Sequence, residues 1–314
     1  MHDFLDDFRW VAHTLDQRPT RIYEVVPTNP QIIGTTDASG LGMGGVFFVP
    51  TPWSTPKRPD YHPYLWRAEF PLDVRQRLLT IENPHGSVTN SDLELAGTIA
   101  HHDVIASQFG VAELTIGTAH DNFAAVIWNR KGSTSTTGPA AYLLRLQALH
   151  TRHYRYIPLH DFIPGHLNRL ADEASRRFQL TDQELLTHFN NHYPQPRTWQ
   201  LLIPRSKMLS ALTSCLLKKR VEPQSVFQDL VEPTSIGDTG WSFVPRTPWI
   251  PTAPPTVLYR TYKYLPGESV MDASHPPVEP FALIQFLRPS ETWARRTSGW
   301  GPVTSEMIPL ANST

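Results

Sequence analysis

The stretch from Ile32 to Val49 constrains the fold of this chain more than any other part of the sequence. Two runs rich in β-branched and aromatic residues flank a glycine-dense turn, and the first run ends at an acidic residue, Asp37. Glycines between such runs are typical of a hairpin turn or a bulge. The stretch therefore predicts an antiparallel hairpin whose first strand ends in a carboxylate.

The same turn also matches a nucleotide-binding pattern, because Gly40, Gly42 and Gly45 satisfy G-x-G-x-x-G. In a dinucleotide site that turn opens a helix, and an acidic residue follows about twenty positions later. Here a strand-like run follows the turn, and Pro50 and Pro52 exclude a helix. The context argues against a nucleotide site.

The segments after the hairpin alternate between strand-like and helix-like patterns up to about residue 178. The longest predicted helices cover residues 90–109 and 139–153, where apolar residues recur at three- and four-residue steps. The chain order is three strands, a helix, a strand, helices, a strand and a helix. This order predicts an α/β fold in which helices cover both faces of a mixed sheet.

The flanking regions have a different composition. Residues 1–30 are polar and interrupted by prolines, and we interpret them as a linker with one short helix. Residues 179–220 predict an amphipathic helical extension. Of the 30 prolines in the chain, 14 follow Lys219, so we expect residues 221–314 to form a largely disordered tail.

Composition limits the classes of partner and compartment. The formal net charge of −1 means that any nucleic acid would have to be bound by local positive potential. The single cysteine, Cys215, excludes an intramolecular disulfide and a cysteine-based zinc finger, and it suits a reducing compartment. Without a signal-peptide pattern or a membrane-spanning apolar run, we expect an intracellular protein of the cytoplasm or nucleus that binds no membrane.

Four carboxylates lie at the ends of predicted elements: Asp37, Glu94, Asp121 and Asp172. If the first and fourth strands are neighbours, these positions can converge on one edge of the sheet. Clustered acids repel one another and are tolerated chiefly when hard cations neutralise them, and all-oxygen ligands suit Mg²⁺ or Mn²⁺. Two such ions about 4 Å apart can drive phosphodiester cleavage.

Each of these acids also has an ordinary structural explanation. Ser91 and Glu94 have the spacing of a capping box. Asp121 is placed to cap the helix that begins at the next residue. The other two fit a turn residue and an exposed helical acid. The spacing alone leaves the metal site and the structural roles both open.

Four segments, taken together and in this order, resemble the ribonuclease H domain of retrotransposon reverse transcriptases. They read TTDASGLGMGGV, VTNSDLELAGTIA, IGTAHDNFAAVIW and FIPGHLNRLADEASR. The resemblance covers about residues 31–178 and implies a ribonuclease H-like, five-stranded mixed sheet. The ADEASR ending is similar to the AD-x-x-SR ending of gypsy-like and DIRS-like elements.

The resemblance implies an enzyme that cuts the RNA strand of RNA–DNA hybrids with two Mg²⁺ ions, for which Mn²⁺ can substitute. It implies a polymerase domain upstream and, for DIRS-like elements, a tyrosine recombinase downstream. The four acids match the family's metal ligands, and His166 falls where cellular members place a mobile histidine. The residues expected to contact nucleic acid are Thr89, Asn90, Ser91, Asn122 and Asn168. The first three match a protein turn that, in this family, contacts the minor groove of the hybrid.

Other features favour different or non-catalytic roles. The segments 51–63 and 72–86 look inserted between Asp37 and Glu94, so a catalytically silent hybrid-binding or scaffolding relic remains the alternative. The histidines of the His101-His102-Asp103 run and His150 are predicted to lie on solvated helix faces. Cys215 is predicted to be a core residue rather than a nucleophile.

Overall fold

The computed structural model describes residues 30–54 and 60–227, together with Leu5 and Arg9. Most of the helix expected near residue 1, and the tail from residue 228 onward with its four tryptophans, lie outside the described residues. Within the described residues no helix has both the length and the apolar character needed to cross a membrane.

Six strands of the described chain form one mixed sheet in the order β5-β4-β1-β2-β3-β6. The neighbouring pairs β1–β2 and β2–β3 are antiparallel, and the pairs β1–β4, β4–β5 and β3–β6 are parallel. The strands span Ile32–Ala38 (β1), Gly42–Pro50 (β2), Tyr61–Glu69 (β3), Thr115–His120 (β4), Ile157–Phe162 (β5) and Gln200–Leu202 (β6).

The helices lie between these strands and after them. They span Leu72–Arg75 (α1), Asn90–Gln108 (α2), Phe123–Lys131 (α3), Pro139–Tyr154 (α4), Arg169–Arg176 (α5), Asp182–His192 (α6), Ser206–Leu216 (α7) and Pro223–Phe227 (α8). A single 3₁₀ turn, Gly165–Leu167, joins β5 to α5.

Alternate side chains along the strands pack against helices on opposite faces of the sheet. Phe47 belongs to a hydrophobic cluster that includes residues of α2, α4 and α7, whereas its neighbours Val46 and Phe48 belong to a cluster that includes residues of α5 and α6. The expected α/β fold, with helices on both faces of a mixed sheet, is confirmed.

The sheet has one strand more than the sequence predicted. The segment Gln200–Leu202, which has no clear strand pattern, pairs with β3 in parallel and covers that edge of the sheet. Further along, Val226 and Phe227 of α8 are buried against the core, so packed structure continues past Arg220 into the region expected to be disordered.

A buried ionic network fixes the segment before α7 to α2. The carboxylate of Asp103 is 1% exposed, accepts a hydrogen bond from Arg205 Nε at 3.0 Å and lies 3.1 Å from His150 Nε2. Burial alone would raise the pKa of Asp103, but the hydrogen bonds with His150 and Arg205 outweigh it and lower the pKa. The extension is thus bonded to the centre of the domain.

Replacing Arg205 by Met is expected to reduce the free energy of unfolding by about 3–5 kcal/mol, because it leaves the Asp103 carboxylate buried without a cation. Urea unfolding at pH 7.5 measures the loss. The matched control is Arg197→Met, which breaks the partly exposed bidentate pair with Asp60 and is expected to cost much less stability, because exposed ion pairs contribute little. An equal loss in both variants would contradict the network's role.

Five histidines lie between α2, α4 and the sheet, each at most 3% exposed: His101, His102, His120, His150 and His160. Burial lowers the pKa of each, to about 3 for His101 and His120. All but His150 have one ring nitrogen without a hydrogen-bond partner in the described structure. The predicted solvated helix faces are therefore wrong for the histidines of α2 and for His150.

Two glycines of the hairpin make room for one of these rings. A Cβ atom on Gly34 would lie 2.6 Å from His101 Nε2, and one on Gly45 would lie 2.9 Å from His101 Nδ1. The Trp66 indole donates a hydrogen bond of 2.9 Å to that Nδ1. Of the three glycines whose spacing resembled a nucleotide-binding turn, Gly45 therefore serves close packing of α2 on the sheet.

Candidate metal centre

Three carboxylates converge where β1 and β4 end beside the first turns of α2. These two strands are parallel neighbours, so Asp37 near the end of β1 and Asp121 just after β4 reach the same edge of the sheet. Glu94 of α2 completes the group, and one oxygen from each of the three lies within 4.8 Å of the others. Mutual repulsion at this distance requires compensation by a positive charge or by protons.

Asp37 is almost completely buried and is bonded through both its backbone and its side chain. Its backbone pairs with Gly44 in β2, and its Oδ2 accepts a hydrogen bond from Ser175 Oγ of α5. Burial raises the pKa of Asp37 to about 6; the Ser175 hydrogen bond acts in the opposite direction, and Asp121 and Asp172 add repulsion. A bound cation would remove this penalty.

Glu94 is the most deeply buried of the three carboxylates. The residue is 2% exposed, and its Oε2 atom is buried with no hydrogen-bond partner in the described structure. Burial, followed by the charges of Asp37 and Asp121, raises its pKa, and a hydrogen bond from the Ala38 backbone lowers it by less. An unpartnered carboxylate oxygen is costly unless a proton or cation satisfies it.

Asp121 forms the side of the cluster that is open to solvent. Burial is the main cause of its raised pKa, and a hydrogen bond with Asn168 opposes that effect. The turn after β5 passes so close that a Cβ atom on Gly165 would lie 2.9 Å from Asp121 Oδ2. Asn168 also donates to the Thr36 carbonyl at 3.1 Å, which connects Asp121 to β1.

The donor set fits a hard divalent cation. All three groups supply carboxylate oxygens, as Mg²⁺ and Mn²⁺ prefer, and Asp121, the least buried of the three, lies on the side from which water and substrate could approach. The expected acidic cluster is therefore present as a group of three that could bind metal ions.

The fourth predicted acid, Asp172, lies outside this group of three. Its Oδ1 is paired with Arg176 Nε at 2.5 Å, and the two side chains are 44% and 54% exposed. Asp172 still acts on the centre at longer range, since its charge raises the pKa of Asp37 and of Asp121.

The structure excludes the ordinary structural explanations for three of the acids. The capping box at the start of α2 joins Thr89 to Asp92, so Glu94 is not a capping residue. The cap of α3 is the Asn122 side chain rather than Asp121. Asp37 lies in a paired strand and is no turn residue. Asp172 does fit an exposed helical acid.

The residues predicted to contact nucleic acid have different surroundings. Asn90 is exposed at the start of α2, whereas Thr89 caps that helix, and Ser91 donates a hydrogen bond of 3.1 Å to Asn122 Oδ1. Asn168 is 1% exposed and bonded within the protein. His166 is exposed in the 3₁₀ turn beside Gly165.

Two functional positions were not identified from the sequence, although both lie in the ADEASR segment. Ser175 Oγ donates to Asp37, and its backbone carbonyl accepts a hydrogen bond of 2.9 Å from Ser39 Oγ. Arg176 lowers the pKa of Asp37, Glu94 and Asp121 through its charge. Their spacing of three and four residues from Asp172 places all three on one helix face and was the available signal.

Comparison with known proteins adds a distant structural likeness. No family model matches the chain, and no curated protein matches it. Among solved structures, the chain is similar to the N-terminal RNase H domain of rv2228c from Mycobacterium tuberculosis, solved as a fusion with maltose binding protein. The two are 14% identical with a TM-score of 0.29, and the match covers 46% of this chain and 91% of that one. The fold assignment rests on the strand order and directions described above.

Proposed function

We propose that this chain is a Mg²⁺-dependent ribonuclease H that hydrolyses the RNA strand of RNA–DNA hybrids. The observation that carries the proposal is the convergence of Asp37, Glu94 and Asp121 around a buried carboxylate oxygen with no protein partner. On a ribonuclease H-like sheet, this arrangement suits metal-dependent phosphodiester hydrolysis.

The three carboxylates would hold the first ion, and Asp172 would join Asp37 around a second. Two bound Mg²⁺ ions supply an activated water and stabilise the leaving oxygen. The protein's own contribution is positioning: Ser175 orients Asp37 from α5, Asn168 orients Asp121 from the turn after β5, and the sheet keeps the oxygens within 4.8 Å.

The hybrid would approach the open side of the cluster at Asp121. Asn90 is exposed at the start of α2 and is available to the minor groove, where 2′-hydroxyl groups distinguish RNA from DNA. Thr89 and Ser91 support that turn by capping the helix and by bonding to Asn122. The exposed His166, beside Asp121 across Gly165, is our candidate for proton transfer or product release.

We place this activity in a retroelement polyprotein, with a polymerase domain upstream and a tyrosine recombinase downstream as partners. The support is the order of the four sequence motifs and the ADEASR ending, which resemble gypsy-like and DIRS-like elements. The chain has a net charge of −1, so most of the affinity for the hybrid would come from the polymerase.

A second candidate is a catalytically silent hybrid-binding or scaffolding domain. The specific observation in its favour is the Asp172–Arg176 ion pair, which occupies one predicted ligand of the second ion. Such a domain would keep one metal ion and the hybrid but would not support the two-ion reaction.

One experiment separates the two functions. Calorimetric titration with Mn²⁺ is followed by incubation with Mg²⁺ and labelled RNA–DNA hybrid, RNA duplex, DNA duplex and single-stranded RNA. The nuclease is expected to bind two ions and to cut only the RNA strand of the hybrid. Metal binding without cleavage would favour the silent domain, and absence of metal binding would refute the proposed centre.

A further inference from the structure

Arg176 places a positive charge beside the acidic cluster. Its guanidinium pairs with Asp172 at 2.5 Å, and its charge lowers the pKa of Asp37, Glu94 and Asp121. In turn, Asp172, Asp37 and Asp121 raise the pKa of Arg176. One guanidinium thus acts electrostatically on all four predicted metal ligands.

The backbone that carries Arg176 is fixed against the sheet. A Cβ atom on Gly44 of β2 would lie 2.6 Å from the carbonyl carbon of Ala174 and 2.7 Å from the amide nitrogen of Ser175. Ser175 is bonded on both sides, to Asp37 through its hydroxyl and to Ser39 through its carbonyl. These contacts hold the backbone of α5 against the sheet, so we expect rearrangement near the predicted metal ligands to involve the half-exposed side chains of Asp172 and Arg176.

A helical acid–arginine pair four residues apart is common and contributes little to stability when exposed. The next pair along the same helix, Glu173–Arg177, has the same spacing, with a distance of 2.9 Å. The two pairs differ in their surroundings. The Glu173 carboxylate bonds to His188 and Tyr193. Asp172 and Arg176, in contrast, act electrostatically on the acidic cluster. The chain thus provides its own internal comparison.

We propose that Arg176 competes with the second divalent cation for Asp172, so that it sets the affinity of the second metal site. A guanidinium and a divalent ion cannot share one carboxylate at contact distance without strong repulsion. Because Arg176 Nε bonds Asp172 Oδ1, the second ion has to weaken or displace this pair to use Asp172, whereas the first ion can bind the other three acids directly. The inference rests on the proposed metal-dependent function.

The test measures Mn²⁺ binding to the full chain without nucleic acid. Calorimetry gives the affinities, and electron paramagnetic resonance reports coupling between two bound Mn²⁺ ions. In Arg176→Gln the second ion is expected to bind about 5-fold more tightly or better, with the first site little changed. Arg177→Gln is the matched control and is expected to bind Mn²⁺ like the unaltered chain. Circular dichroism checks that each variant is folded.

A double-mutant cycle distinguishes competition from a general charge effect. In an Asp172→Asn background, Arg176→Gln is expected to have a much smaller effect on the second ion, because the contested ligand is gone and only the longer-range charge of Arg176 is removed. Unchanged or weaker second-ion binding in Arg176→Gln, or the same tightening in both backgrounds, would overturn the inference. The proposed function itself fails if the unaltered chain binds no Mn²⁺, or if Asp37→Asn leaves all of the Mn²⁺ binding in place.

Discussion

Replacing Asp37 or Asp121 by Asn is expected to abolish Mg²⁺-dependent cleavage of an RNA–DNA hybrid, with a loss of at least about 100-fold in rate. Each substitution keeps the side chain's shape but removes one of three charges whose oxygens lie within 4.8 Å of one another. A labelled-hybrid assay measures the rate, and circular dichroism verifies the fold. Asp73→Asn is the control, because Asp73 is exposed on α1 and lies outside the cluster.

The same substitution at Asp37 is expected to stabilise the metal-free protein. Because the pKa of Asp37 is raised to about 6, the folded state is penalised when this group is ionised, above that pH, and the penalty vanishes below the unfolded value of 3.8. Asp37→Asn is therefore expected to raise the unfolding free energy at pH 7.5 by up to roughly 3 kcal/mol, and this gain is expected to shrink as pH falls below about 6. Full cleavage activity in Asp37→Asn would refute the mechanism.

Mild acid is expected to unfold the protein because of its buried histidines. Each of the five has a folded pKa below its unfolded value of 6.5, so its contribution to stability is present above that value and is lost as pH falls toward the folded pKa. The raised pKa values of Asp37, Glu94 and Asp121 act in the opposite direction and offset at most three protons. A net uptake of about two protons corresponds to roughly 3 kcal/mol per pH unit.

Urea unfolding in EDTA between pH 7.5 and 4.5 measures this dependence. A domain has about 5–15 kcal/mol of stability, so a loss of roughly 3 kcal/mol per pH unit below pH 6.5 unfolds a protein at the lower end of this range near pH 4–5, and we expect that midpoint here. His120→Asn keeps a polar atom near Thr98 and is expected to reduce the slope by about one proton, whereas His85→Asn, at an exposed position, is expected to leave it unchanged. Constant stability from pH 7.5 to 5 would contradict the prediction.

The sequence was sufficient for the parts of the fold that depend on local pattern. The hairpin follows from two β-branched and aromatic runs around a glycine-dense turn, and the helices at residues 90–108 and 139–154 follow from helical periodicity. All three elements are confirmed. Cys215 is buried as expected, and burial raises its pKa to about 12. The three converging acids could be predicted because each lies at an element end, which is a one-dimensional property.

What the sequence did not reveal depends on contacts between distant segments. Polar composition predicts solvent exposure for His101 and His102, but α2 is buried on nearly all sides once the extension packs over it. The strand at residues 200–202 has little pattern of its own, because its partner β3 determines it. Asp172 pairs with Arg176 instead of joining the other three acids. The spacing of these residues along the sequence cannot decide between the two arrangements.

The bond between Asp103 and Arg205 also affects the order in which the protein can mature during synthesis. The two residues are separated by 102 positions, so at roughly 5–20 residues per second the carboxylate is made roughly 5–20 s before its cation. Until then, burying α2 leaves Asp103 without that cation, and closing so distant a contact is slow. Because α2 also carries Glu94, we expect the nascent chain to complete its acidic cluster only after the extension has emerged, so that the nuclease that we propose would stay inactive until then.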